Sequence, residues 1–162
     1  MKKAKIYTET TLKGPSVKDG AYGAVIEYIL KDGKTVTKGF YRIERNTTHH
    51  RSALQAILLG LSRFRERCEI ELVTGDVFIA NSINQERPKN WSRQEWKNSK
   101  SEEVKNKDLW QQFLEELDKH EITVVFSKTN IYSKEMVANM QKQLKDAAKK
   151  SKNIENTERR GK

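Results

Sequence analysis

The sequence predicts an α/β domain built on a five-stranded mixed sheet, three antiparallel strands followed by helix-linked strands, with helices on both faces. Two observations carry this. The first 43 residues hold three β-type segments with a hairpin signal between two of them, and the chain then alternates between apolar repeats of helical and of strand period. Its 162 residues suit one domain, and 35% hydrophobic content against 33% charged implies a modest core under a heavily solvated surface.

Residues 4–12 and Tyr22–Leu30 read as strands, with Val25, Tyr28 and Leu30 among the apolar positions of the second. Lys31-Asp32-Gly33-Lys34 supplies an Asp-Gly turn into a third strand, Thr35–Ile43, because glycine accepts the left-handed conformation that a tight hairpin needs. Asn46-Thr47-Thr48 is helix-entry chemistry, and Leu54, Ile57, Leu58, Leu61 and Phe64 then mark an amphipathic helix. Cys68–Thr74 alternates like a short strand, Gly75 ends it, and Asp76 can cap a helix over Val77–Ile83. A polar, basic stretch over 85–107 follows, with Pro88 near its start. Leu109, Trp110, Phe113, Leu114 and Leu117 repeat at helical spacing, Glu121–Ser127 is a β-branched strand, and Met136, Met140 and Leu144 mark a last helix. The domain is therefore expected over 1–150, and the basic, almost apolar-free stretch 151–162 is expected to be a disordered tail.

The formal net charge is +10, from 32 Lys and Arg against 22 Asp and Glu, and such an excess favours polyanionic partners, nucleic acid above all. One cysteine, Cys68, excludes an internal disulfide and any multi-cysteine metal centre, and points to a reducing, cytoplasmic setting. No apolar run has the length of a membrane span, and the start, Met1-Lys2-Lys3-Ala4-Lys5-Ile6, lacks the apolar core of a secretion signal.

Several stretches together resemble the ribonuclease HI family. Ile6-Tyr7-Thr8 is similar to the family's first strand, and Gly20-Ala21-Tyr22-Gly23-Ala24 to the opening of its second. Thr47-Thr48-His49-His50-Arg51-Ser52-Ala53-Leu54 follows the family's Thr-Thr-Asn-Asn-Arg-Met-Glu-Leu helix entry. Asn90-Trp91, Trp96-Lys97, Val104-Lys105-Asn106 and Asp108-Leu109-Trp110-Gln111 resemble its basic handle and the helix after it. The resemblance runs from about Ile6 to Leu144 and implies the ribonuclease H fold, with the handle at about 85–107.

The same resemblance implies a site in which four carboxylates hold two Mg2+ ions, since adjacent hard dications need anionic oxygen ligands. The four family positions fall on Glu9, Ala53, Gly75 and Asn139, so that one carboxylate remains. The histidine-bearing loop before the last helix is replaced by Ser127-Lys128-Thr129-Asn130-Ile131-Tyr132. Asp76 and Glu135 stand near the lost positions, and a rebuilt metal site would use Glu9 and Asp76, with Glu135 beside them. The competing reading makes Asp76 a helix cap and Glu135 a solvated first-turn charge. His49-His50 occupies the place of the groove-reading Asn-Asn pair; a lone vicinal pair is a weak zinc signal. Thr48 matches the family's phosphate-contacting threonine, whereas its groove-reading glutamine falls on Val77 and a handle aromatic on Glu86.

The residues expected to meet nucleic acid are Thr48, His49, His50 and Arg51 at the helix entry, and Trp91, Arg93, Lys97 and Lys100 in the handle, where the tryptophans mainly pack the handle helices together. Three functions follow. The first is a non-catalytic domain that binds RNA–DNA hybrid or duplex and needs no cofactor. The second is an active hybrid ribonuclease with rearranged ligands, dependent on Mg2+ or Mn2+. The third is a scaffold for an acidic protein partner.

Overall fold

The computed structural model describes residues 1–161. Its order is β1 (Lys2–Thr10), β2 (Lys18–Ile29), β3 (Thr35–Thr47), α1 (His49–Leu61), β4 (Cys68–Thr74), α2 (Val77–Asn84), α3 (Arg87–Arg93), α4 (Lys107–Lys119), β5 (Glu121–Phe126) and α5 (Ser133–Arg160). The strands form one sheet in the order β3-β2-β1-β4-β5. β1 and β2 are antiparallel, as are β2 and β3, while β4 runs parallel to both β1 and β5. This is the mixed sheet expected from the sequence, with helices on both faces.

The alternation along each strand divides the core in two, because successive side chains of a strand point to opposite faces. Ala4, Ile6, Ala24, Ile26, Ile70 and Leu72 join Leu54, Ile57 and Leu61 of α1 and Trp110 and Phe113 of α4 on one side. Tyr7, Ala21, Val25 and Val73 meet Met136 and Met140 of α5 on the other. Gly60 lets α1 lie close to the sheet: a Cβ there would come within 2.7 Å of Ile6 Cγ2.

Two segments differ from the sequence expectation, the ends of β2 and β3 and the C-terminal tail. The hairpin strands extend to Lys18 and Thr47, because their antiparallel pairing continues past an irregularity at Lys18/Gly20. The handle contains a short helix, α3, whose Pro88 sits in its first turn, where a missing N–H costs nothing. The tail expected to be disordered is instead a helical extension of α5 as far as Arg160, exposed throughout. Its Lys, Asn, Glu and Arg residues tolerate helix, and no Gly or Pro interrupts it before Gly161. Among the described residues, no helix is long and apolar enough to cross a membrane.

β3 is a sheet edge of 13 residues, carrying Lys38, Arg42, Glu44 and Arg45. β5 is the opposite edge, with six residues, and Asn84 Nδ2 donates to its Val124 carbonyl at 3.5 Å.

Candidate functional site

Three elements converge where the parallel strands β1 and β4 end: the last turns of those strands, the N-terminus of α1, and the start of α5. Parallel strands bring their carboxyl ends to the same rim, which is where α/β sheets commonly place ligands. Thr8 Oγ1 donates to the Val73 carbonyl at 2.9 Å and ties the two strand ends together. Thr10 Oγ1 and Ser52 Oγ, 2.7 Å apart, tie β1 to α1.

Glu9, 8% exposed, stands at the end of β1. Its carboxylate accepts from Lys13 Nζ at 3.2 Å and from Ser133 Oγ at the start of α5. A lysine and a serine thus engage the one carboxylate among the four positions that the resemblance assigns to metal ligands. Ala53 is 5% exposed and packed into the main core, so its place at the start of a helix does not make it an easy site for a charge. Gly75 does not have the positive φ that a strand exit can impose; Gly33 is the glycine that does. A Cβ at Gly75 would instead meet the carbonyl oxygens of Lys128 and Ser127 at 3.4 and 3.5 Å. Asn139 is exposed on α5. Glu135 is exposed on the same helix, and its charge helps raise the Tyr41 and Tyr132 pKa values.

Asp76 is 2% exposed and caps α2, its Oδ1 accepting from the Ile79 N–H at 3.1 Å. Capping, the role anticipated for it, engages only one of its oxygens. Oδ2 lies 2.5 Å from His50 Nδ1 and 3.9 Å from His49 Nε2. Among the described residues, His49, His50 and Asp76 form the one group of three potential metal ligands, their donor atoms all within 4.8 Å. Burial pushes the His49 imidazole below its ordinary pKa; Asp76 opposes that shift, and His50 and Lys13 add to it. The rings of His49 and His50 stack at 5.4 Å, and Phe78, 40% exposed, lies 5.0 Å from His50.

Thr48 is the N-cap residue of α1 but makes no side-chain capping bond, which leaves its hydroxyl uncommitted to that role. Arg51 is bound within the fold: its Nη1 and Nη2 donate to Asp108 at 3.0 and 2.7 Å, and Nη1 also reaches Asn106 Oδ1 at 3.3 Å. It clips α1 to the base of the handle. In the handle, Trp96 is buried and Trp91 packs edge-on against Trp110 of α4 at 5.5 Å, so both tryptophans point inward. Arg93, Lys97 and Lys100 are exposed around them. Glu86 and Asn106, at the two ends of the handle, adopt left-handed φ values of 55° and 60° that turn the chain in and out.

Two residue groups at this site were not foreseen from the sequence. Lys13 and Ser133 bind Glu9 from positions with no distinctive motif, although Lys13 lies one helical-type interval, four residues, beyond it. Phe78 was readable only as an apolar residue after a helix cap, and its exposure beside His50 depends on the tertiary fold.

The strand order, the crossover from β3 through α1 to β4, and the basic insert between α2 and α4 define a ribonuclease H-like α/β domain. The ribonuclease H family profile matches residues 1–130, and the chain belongs to that family. It is 40% identical to the ribonuclease H of Caldicellulosiruptor saccharolyticus over 141 residues, 86% of this chain and 91% of that one. It is 36% identical to the ribonuclease H of Clostridium botulinum over 127 residues, 77% of this chain and 82% of that one. In fold it is similar to LC9-RNase H1, a type 1 RNase H with the type 2 active-site motif (TM-score 0.73, 17% identity, 88% of this chain and 72% of that one). It is also similar to part of a foamy viral protease-reverse transcriptase in complex with RNA/DNA hybrid (TM-score 0.59, 14% identity, 86% of this chain and 19% of that one).

The donor set does not fit the pair of Mg2+ ions that the family resemblance implies. Two adjacent dications repel strongly unless several carboxylates neutralise them. Here Glu9 is paired with a lysine, and Ala53 and Gly75 offer no side-chain oxygen.

Proposed function

We propose that this chain binds RNA–DNA hybrid or duplex through its handle and the entrance of α1, and does not cut it. The observation that carries this reading is the state of Glu9, the one carboxylate left at the four family positions, bound to Lys13 and Ser133. The exposed cations Arg93, Lys97 and Lys100 supply sequence-independent attraction for phosphates, and Thr48 supplies a hydroxyl at a helix N-terminus, where phosphate is favoured. On this reading the domain needs no cofactor, and a cytoplasmic setting suits a single unpaired cysteine. The fold neighbour solved in complex with RNA/DNA hybrid makes hybrid the nucleic acid to test first.

A second reading, metal-dependent cleavage with rearranged ligands, is favoured by buried Asp76 and by relatives named ribonuclease H. One sample tests both: binding of hybrid and of duplex, and cleavage of hybrid, are scored in Mg2+ and in Mn2+. Binding without cleavage is expected. Cleavage abolished by Glu9→Ala or Asp76→Asn would establish the second reading. Failure to bind either hybrid or duplex would overturn both and leave an acidic protein partner as the use of the charge.

A further inference from the structure

The His49–His50–Asp76 cluster lies outside the four family positions, and its donors are of a different chemical kind. We propose that it binds one borderline-soft dication of the zinc class (Zn2+, Co2+ or Ni2+), leaving a coordination position open to solvent. Two imidazoles and one carboxylate are the donor types such ions take, and three protein ligands with an open position is a common arrangement for them.

The geometry is prepared by local structure. His49 and His50 are neighbours on α1 and are directed differently by the helix, so they converge on one point only by presenting different nitrogens, Nε2 of His49 and Nδ1 of His50. Asp76 is held from behind: its Oδ1 accepts from Ile79, and its N–H donates to Thr74 Oγ1 at 3.2 Å. Such outer contacts fix a ligand's orientation, and here they leave Oδ2 free to face the imidazoles. Ligands about 2.0–2.2 Å from a tetrahedral ion lie roughly 3.3 Å from one another. The His50–Asp76 pair at 2.5 Å must open by less than about 1 Å, the His49–Asp76 pair at 3.9 Å must close by about half that, and the two imidazole nitrogens, no more than 4.8 Å apart, must close by at most about 1.5 Å, movements that side-chain rotations supply.

The positive ends of α1 and α2 and the nearby Lys13 oppose a cation here, and the buried charge of Asp76 offsets them. Mg2+ is a poor candidate, because it prefers oxygen ligands and near-octahedral geometry. The open side is set by exposure: the His50 side chain is 51% exposed and that of His49 26%. Water fills this position in the free protein. With nucleic acid bound, a phosphate oxygen takes it; that second step rests on the nucleic-acid-binding reading, whereas metal binding does not.

The test uses the full chain stripped with a chelator. Calorimetric titration with Zn2+ should give one equivalent per chain, and Co2+ should produce visible d–d absorption that Zn2+ abolishes. The double variant His49→Ala/His50→Ala should lose the Co2+ spectrum and weaken Zn2+ binding at least about 10-fold. His120→Gln removes the third histidine of the chain and should leave both signals intact. Titration of Mg2+ alone should give no saturable heat. No saturable Zn2+ binding, or binding that survives the double variant, overturns the site. A hybrid-binding titration with and without Zn2+ reads the second step: tighter binding that the double variant loses supports it, and unchanged binding overturns it. Failure to bind hybrid under any condition refutes the functional reading but leaves the metal result standing.

Discussion

Replacing Arg93, Lys97 and Lys100 together with Ala perturbs the proposed interface without touching the core. All three are exposed, and among the described residues none takes part in an ion pair; Arg93 makes one side-chain hydrogen bond, to Asn90 Oδ1 at 3.4 Å. Their charge is therefore available to displace counterions from a duplex. Each phosphate contact contributes about 0.9 to the slope of log affinity against log salt, so losing three flattens the slope by about 2.7. At ~0.1 M salt that corresponds to about a 500-fold loss of affinity if all three contacts are made. Arg51→Ala is the internal comparison. Asp108 already neutralises that guanidinium and holds it above its ordinary pKa, so this change should move the slope by less than one contact. Fluorescence anisotropy with a labelled hybrid, from ~50 to 250 mM salt, spans the range in which such slopes are read. An unchanged slope in the triple variant, with melting temperature also unchanged, would show that the handle is not the phosphate-binding surface.

Three further outcomes are expected. The combined change Glu9→Asp, Ala53→Glu, Gly75→Asp and Asn139→Asp, in a variant whose melting temperature shows that it folds despite the charge placed at core-packed Ala53, should introduce metal-dependent hybrid cleavage, measured on gels in Mn2+; cleavage by the unaltered protein at the same rate would refute the assignment of inactivity to the missing carboxylates. Trp110→Ala should cost about 3–5 kcal/mol in urea unfolding, since Trp110 is 2% exposed and supports both Trp91 and Phe113; a loss below ~1 kcal/mol would contradict that packing. Burial lowers the His120 pKa from 6.5, so the unfolded chain binds the extra proton first and stability falls as pH drops below 6.5 toward the folded-state value. His49 adds to this with the same sign, and His120→Gln should shallow the decline in urea midpoint between about pH 7.5 and 5.5, a decline limited to ~1.4 kcal/mol per pH unit for each proton.

Much of this fold is local in origin and so was legible in the sequence. The Asp32-Gly33 turn, the alternation in β4 and the helical spacing of Leu109, Trp110 and Phe113 are set by nearest neighbours and by which face is buried. The bounds of the handle helix α3 were not legible, because it carries no apolar periodicity beyond Pro88 and Trp91. At the site, Glu9 and the substituted positions could be read by resemblance, but their partners could not. Arg51 meets Asp108 across 57 residues and His50 meets Asp76 across 26, and neither pairing leaves a mark on local sequence. At two of the substituted positions only the tertiary fold shows what a new side chain would meet. Gly75 is less strained than a strand exit suggests, and Ala53 is more enclosed than a helix start suggests.

The two borders of the sheet bear on how copies of this chain behave when crowded together. An open strand border is a template onto which another chain can hydrogen-bond, and long, flat, uncharged borders seed aggregates. The longer border, β3, carries Lys38, Arg42, Glu44 and Arg45 along 13 residues, so it offers another copy a charged rather than a flat apolar template. The shorter border, β5, offers six residues, and Asn84 already occupies one of its carbonyls. The apolar side chains Val36 and Ile43 on β3 and Val125 and Phe126 on β5 can therefore remain in water without giving the sheet a ready way to grow from chain to chain.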